Sequence, residues 1–115
     1  MNVTIQHAVL IQTGREKRNV ARLTQTTTMP FPPQQSMILH FGDKVLPVTL
    51  KIEHPVSWSF ATEEYGTFFV IDVFEEASVR QSHVDEGYFL TRLKNAGFEV
   101  DWIEPEFEHL RDGMS

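Results

Sequence analysis

Cysteine is missing from this sequence. Disulfides, thiolate metal sites and a Cys nucleophile are therefore excluded. Small secreted domains commonly depend on disulfides, so a cysteine-free chain points to a reducing compartment. Long apolar runs are missing as well, and none approaches the ~20 residues that a membrane helix needs. The first residues, MNVTIQHAVLIQTGREKR, place no basic segment ahead of an apolar one. They alternate as a strand does and do not look like a secretory signal. The expectation is a cytoplasmic protein with no membrane contact. There is no Gly-rich phosphate loop, no G-x-S-x-G turn, and no Lys- or Arg-rich run interleaved with aromatics. The usual signatures of phosphate cradling, serine hydrolysis and nucleic-acid platforms are thus absent.

What remains is globular material. The chain has 115 residues, 41% hydrophobic and 11% aromatic, enough for one core and too apolar for disorder. Its charge is uneven. Residues 1–62 carry six basic and three acidic groups, a balance of +3, while residues 63–115 carry four and thirteen, a balance of −9. The acidic block repels phosphates, so direct nucleic-acid binding by the C-terminal half is not expected. It suits either plain solubility or steering towards a basic protein surface.

The strand pattern is legible. Val3, Ile5, His7, Val9 and Ile11 share one face of a strand, and residues 20–29 read as its hairpin partner across the turn at 13–19. Three of the six prolines (Pro30, Pro32, Pro33) follow closely. They fix φ, withhold N–H groups and end the hairpin, with Phe31 expected to pack inward as an anchor. Short strands follow at 36–41 and, with Leu46, Val48, Leu50, Ile52 and His54 on one face, from residue 46. Val56, Trp58 and Phe60 alternate again. FFVIDVF (68–74) is apolar on both faces and reads as a central strand covered on both sides. One helix is expected at about 79–96, with Ser78 and Gln81 as a capping box and Gly97 after its end. Ser82 with Asp85 offers a later start. Phe98, Val100 and Trp102 point inward from a last strand at 98–103.

The predicted fold is α+β: a mainly antiparallel, strongly curved sheet of about six to seven strands, with one C-terminal helix packed on it. That helix connects strand 68–74 to strand 98–103, a candidate βαβ unit. Residues 1–103 make a single domain, and 104–115 an acidic tail.

Five places carry candidate chemistry. His7 and His54 lie on apolar strand faces, as a general base or metal pair, or as satisfied core histidines. His83, Asp85 and Glu86 have helical metal-ligand spacing, but acids there equally complement a helix dipole. Glu104, Glu106 and Glu108, with His109, line one side of an extended tail. Asp72 sits among apolar neighbours, so it must be paired, protonated or at a rim. Trp58, Phe60, Phe68 and Phe69 read as core, or as the lining of a pocket that also holds Asp72, His7 and His54. None of these makes a catalytic set, so no enzyme activity, metal or cofactor is expected.

The leading expectation is a small non-enzymatic interaction protein of the inhibitor, immunity or anti-defence kind. It would dock Glu99, Asp101, Glu104, Glu106 and Glu108 on a basic partner. Two alternatives are a self-assembling scaffold, since opposite charges in the two halves suit head-to-tail contacts, and a small-molecule-binding domain or minor enzyme around Asp72, His7 and His54.

Overall fold

The alternation that begins at Val3 runs on into an 11-residue strand, β1 (Val3–Thr13). The computed structural model describes residues 2–45, 47–80 and 84–111. After β1 the chain forms β2 (Arg18–Met29), β3 (Ile38–Phe41), β4 (Val48–Lys51), β5 (Ser57–Ser59) and β6 (Glu64–Asp72). Helices α1 (Val73–Arg80) and α2 (Glu86–Asn95), β7 (Glu99–Ile103) and a 3-10 helix at Pro105–Leu110 complete it.

The turn between β1 and β2 is closed by the Lys17 N–H donating to the Gly14 carbonyl at 3.2 Å. Gly14 takes φ +78°, a region open to a residue without Cβ. The strands pair antiparallel end to end with one shift at Ile11/Gln12. Val20 is the extra residue there, so Val20 and Ala21 are both buried.

The main sheet has five strands in the order β5-β6-β1-β2-β7, and β3 with β4 forms a separate ribbon. Among the described residues, only β1 and β6 pair in parallel; the other pairings are antiparallel. The sheet is not strongly curved, contrary to expectation. Its two long central strands pair throughout with a single bulge, which leaves little to bend them. Because β7 is antiparallel to β2, and β2 to β1, β7 runs parallel to β6. The two helices therefore make a crossover between parallel strands that are not neighbours.

Val9 and Ile11 share one core with Phe41 of the ribbon, Ile52, Phe69, Ile71, Phe89, Leu90, Leu93 and Phe98. The opposite face, with Gln6, Leu10, Arg22, Thr24, Thr26, Val70 and Trp102, is partly or fully exposed. Phe41 joins ribbon to sheet, with its ring centroid 4.9 Å from that of His7 and 5.0 Å from that of Phe98.

The expected single helix is two. Asp72 ends β6, and its carboxylate accepts the Glu75 N–H at 3.1 Å, starting α1 at Val73, ahead of the Ser78 box. Asp85 caps α2, accepting the Tyr88 N–H at 2.9 Å. Ser78 sits inside α1 and donates to the Phe74 carbonyl. Gln81, Ser82 and His83 lie outside the described residues, as does Leu46. The helix end follows the prediction: Gly97 takes φ +103°, and the N–H groups of Gly97 and Phe98 donate to the carbonyls of Lys94 and Leu93.

Several facing assignments change. Phe31 is 50% exposed, and Pro33 is the buried residue of the proline corner. β6 buries only Thr67, Phe69 and Ile71; Val70 is 40% exposed, so the strand is covered on one face. Phe74 belongs to α1 and is half exposed. In β7 a register shift at Arg22/Leu23 leaves Asp101 unpaired. Trp102 consequently turns outward and Ile103 inward. The segment expected as an acidic tail is helical at Pro105–Leu110, and Phe107 and Leu110 pack against the core.

Candidate functional site

The four residues expected around one pocket are placed apart. His7 is buried on β1. Its Nδ1 lies 2.6 Å from the Thr67 hydroxyl on β6, and its Nε2 lies 2.7 Å from the Thr27 hydroxyl on β2. A neutral imidazole has one donor and one acceptor nitrogen, and two hydroxyls satisfy both. Burial pulls its pKa from 6.5 to about 4. His7 is a structural bracket between the strands on either side of β1, with neither nitrogen open to a substrate or metal.

Asp72 is the cap of α1 at the end of the sheet, which accounts for a carboxylate among apolar residues. His54 is exposed and stacks edge-on against Phe68, with centroids 5.3 Å apart. Trp58 is 42% exposed and lies on Tyr65 at 4.7 Å, while Phe60 is 87% exposed. Of the four aromatics expected in the core, only Phe69 is buried. Among the described residues, no three His, Asp or Glu side chains converge as a metal-ligand set. Glu86 accepts a hydrogen bond from the Thr13 hydroxyl at 2.7 Å.

The predicted acidic surface lies along β7 and the 3-10 helix, and much of it meets the chain's own arginines. Asp101 pairs with Arg22 at 2.6 Å, Glu106 with Arg18, and Glu108 with Arg111 at 2.6 Å. Arg18 also lies over the Phe107 ring, 5.7 Å from its centroid. Part of the basic first half therefore neutralises part of the acidic second half within one chain. Glu99 is exposed on β7, and Glu104 is half-buried after it.

One concavity was not foreseen. It is a cleft of about 310 Å³ between the β4 side of the ribbon and α2, lined by Val48, Thr49, Leu50, Ile71, Phe89 and Leu93. Glu76, Tyr88, Arg92 and Pro47 complete its wall. Arg92 braces it: its guanidinium donates to the Tyr88 hydroxyl at 2.8 Å and to the Pro47 carbonyl at 3.1 Å. A second groove of about 180 Å³ continues along β6, sharing Thr49, Leu50, Ile71 and Glu76 and adding Lys51, Glu53, His54, Phe69 and Val70. The i,i+4 spacing of Tyr88 and Arg92 was the one sequence signal for this wall. The approach of β4 to α2 is a tertiary fact that no local pattern carries.

Comparison of the chain with protein-family models, curated proteins and solved structures finds no match.

Proposed function

We propose that the protein is a small non-enzymatic interaction protein, of the inhibitor or immunity kind, that docks its acidic edge on a basic partner surface. The observation that carries this reading is the grouping of Glu99, Asp101, Glu104, Glu106 and Glu108 along the β7 edge and the following helix. Three of the five are held by Arg22, Arg18 and Arg111, but these pairs are solvent-exposed. Exposed pairs contribute about 0–1 kcal/mol each, so a partner's cations replace them at small cost. Such an edge steers a basic partner into register and weakens with salt.

The test replaces Glu99, Asp101, Glu104 and Glu106 together by Gln or Asn. A partner isolated on the native protein is expected to be basic and to be lost on this variant. Capture that survives the four substitutions, or that is insensitive to ionic strength, overturns the reading.

A further inference from the structure

The other edge of the sheet carries a different site. β6 pairs with β1 along Tyr65–Asp72, but β5 covers its outer side only at Glu64–Gly66. Among the described residues, no strand pairs with residues 67–72 on that side, and β4 is paired with β3 alone. Alternate residues of such a stretch turn their N–H and C=O groups towards the missing neighbour, a row suited to an added strand.

We infer that this open stretch of β6 and the groove beside it bind an extended segment of a partner protein, one that places an uncharged apolar side chain in the cleft. The segment supplies the missing strand between β6 and the ribbon. Its alternate side chains reach the cleft floor of Leu50, Ile71, Phe89 and Leu93.

Shape and charge select this occupant. The edge is recessed, with Thr49–Lys51, Glu53 and His54 on one side and Phe69–Ile71 on the other. A single extended chain enters such a recess. A second copy of the protein would bring its own ribbon and the 53–54 segment against the same walls. The charged lining residues are Lys51 and Arg92 against Glu53 and Glu76, a balance of zero. That balance favours neither an acidic nor a basic segment, whereas the floor favours an apolar anchor. The inference is independent of the acidic edge, and either can fail alone.

The test uses random linear peptides displayed on phage and selected on the full chain, with the recovered sequences synthesised. Recovered peptides are expected to share an apolar anchor and to slow amide exchange within residues 67–72 by about tenfold or more. N-methylation of alternate peptide residues is expected to weaken binding by about tenfold, because it removes ladder donors without changing the protein. Thr49→Arg, at an exposed rim position where the hydroxyl lies 3.0 Å from His40 Nδ1, is expected to weaken binding by a similar factor, and Thr49→Ala, which loses the same hydrogen bond without adding bulk, is expected to leave binding within about twofold. The inference is overturned by recovery of no peptide above background, by protection elsewhere on the chain, or by indifference to every N-methylation. Concentration-dependent protection of residues 67–72 by the protein itself would assign the edge to a second copy instead.

Discussion

The two edges of the main sheet solve the same problem in opposite ways. β7 is bulged, acidic and tied to β2 by Arg22, and the chain beyond it folds back as a 3-10 helix on Arg18. Charge and a bulge discourage another strand from pairing there. β6 is apolar and regular, and its open stretch lies in a groove instead of being blunted by charge. An edge protected by charge suits a charged surface partner. An edge protected by recess admits only a slender one.

Both edges hang from the same central pair, so the largest effect is expected at His7. This ring links β2 to β6 through Thr27 and Thr67. Its pKa falls from 6.5 to about 4 on burial. Above pH 6.5 the ring is neutral folded or unfolded, and the full stability is present. As pH falls from 6.5 towards 4, the unfolded chain takes up a proton that the folded chain refuses, and stability is lost through that window. The corresponding loss is about 3 kcal/mol, complete below the folded pKa. Denaturant titrations at stepped pH measure it, and His7→Gln is expected to remove this part of the slope. His7→Ala is expected to cost about 2–4 kcal/mol at neutral pH by leaving a cavity and two unpaired hydroxyls. A His7→Gln variant with the full wild-type slope would move the titration to another group.

How far such features were visible in the sequence depended on how local their cause is. The hairpin of β1 and β2, the burial of His7 and the helix end at Gly97 follow from alternation and from a single glycine, and they were legible. The early start of α1 was not, because Phe74 prolongs the apolar run of β6 while the deciding event is one hydrogen bond, the Glu75 N–H donating to the Asp72 carboxylate. Trp102 was assigned inward because a bulge shifts facing by one residue without changing composition. Phe31 was expected inward as an anchor of the proline corner and Trp58 by its alternation with Val56 and Phe60, yet both are exposed. The cleft is built from Pro47–Leu50, Ile71 and α2, segments distant in the chain, and the histidines drew attention away from it.

At the β6 edge, Asp72 separates a capping role from a chemical one. Asp72→Ala is expected to cost about 1 kcal/mol, the usual loss of an N-cap. Asp72→Asn keeps the accepting oxygen and is expected to stay within a few tenths of wild type. Thermal unfolding of both variants measures the contrast. An Asn variant as damaged as the Ala variant would show that the charge matters, and would reopen a role for Asp72 beyond starting α1.

The smallest expected effect lies at the β7 edge, and it bears directly on how that edge would be used. Arg22 and Asp101 are about half exposed, with side-chain accessibilities of 43% and 49%. A double-mutant cycle with Arg22→Ala and Asp101→Ala is expected to give a coupling below about 1 kcal/mol. In 1 M salt, where the screening length is about 3 Å, the coupling is expected to shrink further. A weak, salt-sensitive coupling leaves Asp101 free to exchange Arg22 for a partner's cation. A strong, salt-resistant coupling would make the pair a lock on the bulge, and Asp101 would drop out of the docking surface while Glu99 and Glu104 stayed in it.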